Sequence, residues 1–277
     1  MGNDRKGGRV GVIILAAIGI GLGIYYYFFY AQAPREPIPV GKPEVKVPLP
    51  PPPEKAVVVE EKKVPPQPLV KLSESDGLVR ERAKDVSTHS KLLAWLKIKN
   101  IIRRVTATVD SIAEGSSPRA HLGFLAPKQG LTVKKVEKKI FVNPRSYQRY
   151  NLVADVFQSL NAEATIRAYK ELKPLFQEAY REQGYPDRDF QDALIRAIKE
   201  LLRVPVVDGD IPVEEIVLSY VMLDEKLEGL SDAQKHLLRM GPVNTRKIQG
   251  KLREMALALG VSENELPKSR VYSLKVK

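Results

Sequence analysis

The chain has no cysteine. That absence excludes disulfides, thiolate nucleophiles, a lipobox and cysteine-bound metal, while leaving an oxidising compartment open. Histidine is nearly as scarce. His89, His121 and His236 stand far apart with no H-x-x-x-H pair, so each reads as a surface or helix-end residue rather than a metal ligand. No metal and no cofactor is expected. Positive charge is present but dilute. Of the net +12, the first nine residues carry +2, residues 31–72 carry +2 and residues 73–277 carry the remaining +8. A nucleic-acid binder shows a denser basic stripe. No nucleic-acid partner is expected, and attraction to an acidic polymer or anionic lipid stays open.

Residues 10–30 read VGVIILAAIGIGLGIYYYFFY and carry no charge. As a helix they span roughly 30 Å, the thickness of a bilayer core. The aromatic end suits the membrane–water interface. Arg5, Lys6 and Arg9 flank the near side, against Arg35 and Lys42 on the far side. The expectation is a single-pass span in a bacterial inner membrane, with residues 1–9 cytoplasmic and the bulk periplasmic. Ala31-Gln32-Ala33 resembles a signal-peptidase site. The length of the apolar run and Pro34 beyond the cut favour an uncleaved anchor.

Twelve of the 21 prolines fall within residues 31–70. Proline removes amide donors, and little apolar surface accompanies it, so residues 31–72 read as an extended linker reaching about 120 Å. From residue 73 to 260 the spacing is helical. This predicts a mainly α domain with one small β-hairpin near residues 131–142, its turn at Lys134-Lys135, and a C-terminal tail at 261–277. Ser73 or Ser75 is expected to cap a first helix at Asp76. Asn161 is expected to cap a long helix containing Pro174, with Gly184 as its stop. Ser231 caps a later helix, and Gly241-Pro242 makes a tight corner into the last one. Residues 204–212 read as a loop and 213–220 as one short apolar element.

The third predicted helix covers residues 98–114 and contains IIRRVTATVD. At 100° per residue, Ile98, Ile101, Val105, Thr108, Val109 and Ile112 form one stripe. Arg103, Asp110 and Glu114 fall opposite, with Arg104 beside the stripe. The charges follow the helical period, so they predict a solvated or partner-facing side, with a structural salt bridge from Asp110 or Arg104 as the sharper alternative. Lys128, Lys134, Lys135, Lys138 and Lys139 form the densest basic cluster. It reads as a solvated ribbon edge, with an anion or lipid contact as the alternative. Asp187, Asp189 and Asp192 lack EF-hand spacing and read as helix N-terminal charge.

SESDGLVRE, LLAWL, IIRRVTATVDSIAEGSSPR, SYQRY, LKPLFQEAYREQGYP, AIKELL and LSDAQKHLLRMGPVN, in that order, resemble a family of bacterial membrane-anchored proteins defined as a domain of unknown function. The resemblance covers about residues 73–258. It implies one N-terminal span, a proline-rich linker and a helical domain, and it brings no activity, substrate or catalytic residue. Ser111 stands where the family usually has asparagine.

The candidate site residues are Arg103, Arg104, Asp110, Tyr147, Arg149, Tyr150, Tyr180, Tyr185 and Arg239. Arginine offers a rigid fork of donors, and tyrosine buries a ring while keeping a hydroxyl partner. Polar links between helices are the first expectation for this set, and a ligand surface is the second. Functionally the chain reads as a non-enzymatic envelope module that binds lipid through residues 10–30 and an envelope protein or peptidoglycan through its domain. The alternatives are an envelope hydrolase or transferase using Asp76, Glu81, Asp110 or Glu178, and a DNA-binding protein if the topology is reversed.

Overall fold

The computed structural model describes residues 70–217 and 219–274. The expected membrane span and the linker up to residue 69 lie outside the described residues. Among the described residues, no helix is long and apolar enough to cross a membrane.

The described chain is mainly helical. In order, its helices are α1 (Asp76–Val86), α2 (Ser90–Trp95), α3 (Ile101–Ala113), α4 (Asn151–Gln158), α5 (Ala162–Glu182), α6 (Phe190–Leu202), α7 (Glu225–Glu228), α8 (Asp232–Leu238) and α9 (Pro242–Ala258). Its strands are β1 (Val133–Val136), β2 (Lys139–Val142), β3 (Val206–Val207), β4 (Pro212–Ile216), β5 (Ser219–Met222) and β6 (Val271–Tyr272).

Local chemistry sets most helix boundaries. Asn161 Oδ1 accepts from the Ala164 amide at 2.8 Å, and Asp189 Oδ1 accepts from the Gln191 amide at 2.7 Å. Ser231 and Gln234 form a capping box at α8, which satisfies amides that a helix start leaves open. α5 continues through Pro174 and buries Ile166, Tyr169, Leu172, Leu175, Phe176, Ala179 and Tyr180 on one face. The far end of α6 is closed from a distance. The buried Gln249 Nε2 donates to the carbonyls of Leu201, Leu202 and Val204 at 3.0, 3.4 and 2.8 Å.

Two helix expectations need correction. Ser75 precedes α1, but its hydroxyl donates to the Leu72 carbonyl at 2.8 Å and caps nothing. α3 begins at Ile101, not residue 98, because Asp76 reaches across to it. The two Asp76 carboxylate oxygens accept from the Asn100 and Ile101 amides at 2.9 and 2.8 Å. The buried residues of α3 are Ile101, Ile102 and Thr106, while Val105 is 40% exposed. The helix is therefore rotated from the expected stripe, since α5 and α6 both pack against it. Thr106 tolerates full burial because its hydroxyl donates to the Ile102 carbonyl at 2.9 Å.

The sheet departs further from expectation. β1, β2, β4 and β5 form one antiparallel sheet in the order β1-β2-β4-β5. Lys134 and Lys135 lie inside β1; the turn follows Val136, with Glu137 in the left-handed region at φ 54°. The presumed apolar element at 213–220 is a second hairpin, joined to the first by Ile140 opposite Val213. The presumed loop at 204–212 holds β3, which pairs in parallel with β6 from the presumed tail. Val261 and Leu266 are buried, and the Tyr272 hydroxyl donates to Asp224 Oδ2 at 2.8 Å. The segment up to residue 274 is thus part of the fold.

Two apolar clusters result. One joins Leu72, Ile102, the buried face of α5, and Phe190 and Ala193 of α6. The other lies between the sheet and α4, α6, α8 and α9, with Val142, Val213, Met222, Ile198, Leu202, Leu238 and Leu252 among its members. α6 serves both, its first turns in one cluster and its last turns in the other.

Candidate functional site

Beside the second cluster opens a cleft of about 800 Å3. Its walls are the irregular segment 117–131, the 3-10 turn Pro144–Tyr150 with the first turn of α4, the tip of the β4–β5 hairpin, and the end of α8. Two of these walls have a local cause. Asn143 Oδ1 accepts from the Arg145 amide at 3.0 Å and starts the 3-10 turn. The capping box starts α8, and Gly241 ends it with φ 85°.

Arg119, Lys128, Arg149, Arg239 and His236 line this cleft, and Glu215 is the one carboxylate on its described lining. Arg149 is held in place: Nη1 donates to the Gln129 carbonyl at 3.2 Å, and the guanidinium lies 4.8 Å from the Tyr150 ring centroid. Its Nε is buried without a partner. Among the described residues, no carboxylate is ion-paired to Arg119, Arg149 or Arg239, whereas Arg82, Arg103, Arg246 and Arg253 each have one. Burial, then Arg239, Arg119 and Arg149, hold His236 below the ordinary imidazole range. The fields of three guanidiniums therefore meet at one side chain. Burial raises the Glu228 pKa, but the Met222 amide, Lys235 and Arg239 outweigh it and leave the carboxyl below its usual range.

The expected site residues divide between two places. Arg149, Tyr150 and Arg239 line the cleft. Tyr147 lies behind it in a small hollow shared with Arg239, where burial and then Asp210 push its pKa up to about 12. Arg103, Asp110, Tyr180 and Tyr185 meet where α3 faces the end of α5. Arg103 Nε and Nη2 donate to the Glu182 carboxylate at 2.6 and 2.9 Å. The Tyr185 hydroxyl donates to Asp110 Oδ2 at 3.3 Å, and its ring stacks on Tyr180 at 4.6 Å. Arg104 belongs to neither group. It is exposed and donates to the Lys99 carbonyl at 3.0 Å.

Sequence reasoning missed Arg119, Glu215 and His236 as site residues, and it grouped Lys128 with the ribbon lysines, for which an anion or lipid contact was the alternative reading. A signal was present for two of them. IIRRVTATVDSIAEGSSPR ends on Arg119, and LSDAQKHLLRMGPVN holds His236 three residues before Arg239, one helical turn away. Those two segments and SYQRY each bring one arginine to the cleft. Of the four carboxylates considered for catalysis, none lines it. Asp76 is occupied in capping α3, and Glu81 pairs with Arg82. Among the described residues, no group of three His, Asp or Glu side chains is placed to hold a metal.

The Asp110 cluster carries a stability prediction. The Tyr180 hydroxyl and Asp110 Oδ1 are buried without partners. An unpaired buried hydroxyl contributes nothing and costs its hydration. Tyr180→Phe is expected to leave the melting temperature unchanged or raise it. Asp110→Ala, which removes the acceptor of Tyr185, is expected to cost about 1 kcal/mol. A loss above about 2 kcal/mol for Tyr180→Phe would show that the hydroxyl has a partner after all.

No curated protein and no solved structure matches the chain. The sequence pattern of one family, described as a protein of unknown function (DUF3014), matches residues 101–256. That span covers α3 through most of α9 and every arginine of the cleft, and the chain belongs to this family.

Proposed function

We propose that the domain is a non-enzymatic binding module for an anionic ligand, taken in the arginine-lined cleft. It is tethered to a bacterial inner membrane by residues 10–30, with the domain on the periplasmic side. The observation that carries the reading is the set of three arginines on one cleft, none of them ion-paired to a carboxylate among the described residues. Guanidiniums gathered on one cleft repel one another, and an anion between them relieves that repulsion. The volume lies within the roughly 300–1,000 Å3 of ordinary ligand sites, so it suits an organic anion or a chain segment better than a bare ion. Envelope partners with such chemistry include acidic protein segments, peptidoglycan carboxylates and phosphate-bearing groups.

The test uses full-length protein in detergent, with glycerol phosphate and a glutamate-rich peptide as probes. At least one probe is expected to raise the melting temperature. Hydrogen bonds to charged groups contribute about 1.5–3 kcal/mol, so Arg149→Gln or Arg239→Gln should each weaken binding about 10- to 100-fold. Binding untouched by either substitution would rule the cleft out.

The same titrations have a pH arm. Folded His236 holds its proton more weakly than unfolded His236 does, so its contribution to stability is intact above about pH 6.5 and is lost as pH falls below that value. An anion weakens the arginine field and raises the proton affinity of His236. Binding is therefore expected to take up protons and to tighten as pH falls through the lowered titration range of folded His236. His236→Gln should flatten the profile.

A further inference from the structure

We infer that the end of the sheet carrying its two hairpin turns docks on an anionic lipid bilayer, with headgroup phosphates held by the cleft arginines and Ile216 and Val217 entering the headgroup layer. The inference rests on the reading of the cleft as an anion site, and it names the partner.

Register places the two turns together. β2 and β4 pair antiparallel with Ile140 opposite Val213. The β1–β2 turn and the β4–β5 turn therefore emerge at the same end of the sheet. Each tip exposes apolar surface: Val136 is 50% exposed beside the charged Glu137-Lys138 turn, and Ile216 is 48% and Val217 97% exposed at the other. Ile216 and Val217 are also on the rim of the cleft, so apolar tip and cationic floor are adjacent.

The charge around them has the right sign. Lys135, Lys138 and Lys139 are exposed beside the first turn, and Arg119, Lys128, Arg149 and Arg239 line the cleft. Against these seven cations stand Glu137, Glu214 and Glu215, all exposed. The patch is net positive without being uniformly basic. Anionic headgroups attract such a patch by about 1 kcal/mol per Lys or Arg near the surface. A phosphate offers more acceptor oxygens than a carboxylate to converging guanidiniums. A soluble acidic peptide would fill the cleft but leave Val217 in water. A bilayer covers both, because apolar groups settle about 5–10 Å into the headgroup boundary.

The chain has no cysteine, so Val217→Cys creates a single labelling site in the full-length protein. The labelled protein, carrying an environment-sensitive dye, is reconstituted into phosphatidylcholine vesicles with or without phosphatidylglycerol. The dye is expected to shift to the blue and to be quenched by a lipid-borne nitroxide only when phosphatidylglycerol is present. The double variant Arg149→Gln/Arg239→Gln should abolish the shift, and the same dye at exposed Asp187→Cys should show none. A dye that stays aqueous in both vesicles overturns the inference, as does an equal shift without phosphatidylglycerol or a shift that survives the double variant. The detergent titrations then separate the two readings. If glycerol phosphate or the glutamate-rich peptide still binds through the arginines, the anion cleft stands and the lipid surface falls. A response to the peptide alone points to an acidic protein. If neither soluble probe binds and the dye stays aqueous, both readings fall.

Discussion

Gly241→Ala is expected to lower the melting temperature by roughly 10 °C and to weaken anion binding in the same variant. Gly241 has φ 85° and ψ 163°, a region that side chains cannot enter without about 1–3 kcal/mol of strain. A Cβ there would lie 2.3 Å from Tyr147 Cγ and 2.6 Å from Cδ2. The ring cannot easily withdraw. Buried Asn244 Nδ2 donates to the Tyr147 carbonyl at 3.1 Å, to Asn151 Oδ1 at 3.1 Å and to the Met240 carbonyl at 2.9 Å, which ties the 3-10 turn to the α8–α9 corner. Overpacking adds about 1–3 kcal/mol, so the total is about 2–6 kcal/mol. The displaced turn carries Arg149 and the displaced corner carries Arg239, which is why binding should suffer too. Gly250 is the matched control. It lies in α9 and a Cβ there meets nothing within 4 Å, so Gly250→Ala should stabilise by about 0.5–1 kcal/mol. A Gly241→Ala variant that melts like the parent would mean that Tyr147 does not hold the corner.

Phe190→Ala should cost about 3–5 kcal/mol. Phe190 is 1% exposed. Its ring stacks on Phe176 at 5.2 Å with 4° between planes and meets Tyr180 edge-on at 5.7 Å, with Tyr169 at 6.3 Å. Deleting it leaves a cavity among large rings that cannot collapse inward. It also removes aromatic contacts of about 0.5–1.5 kcal/mol each beyond their area. The backbone is committed as well, since the Phe190 amide donates to Gln177 Oε1 at 2.9 Å and fixes the start of α6 against α5. Phe190→Leu retains most of the volume and should lose less. Denaturant melts of the two variants check the order. Near-equal losses would show that ring packing is not what this cluster depends on.

Charge, composition and helical period were legible in the sequence because they are local properties. The Asn161 and Ser231 caps, the Gly184 stop and the Gly241-Pro242 corner follow from chemistry within a few residues. The buried face of α5 follows from its own spacing, since one face of that helix meets one core. α3 shows where such reasoning stops. Its two sides meet two helices, and a carboxylate 25 residues earlier sets its start, so its period could not say which side is buried.

Only the tertiary structure decided the sheet and the cleft. β2 and β4 are separated by about seventy residues, and two-residue β3 finds β6 near the far end of the described chain. Strand pairing has no period that crosses such distances. The arginines behave in the same way. Each one was visible as part of its own segment, but Arg119, Arg149 and Arg239 become one electrostatic object only when a loop, a 3-10 turn and a helix end are folded against each other. Helical elements are written in short-range spacing; a site made of three distant side chains is a property of the packing that joins them.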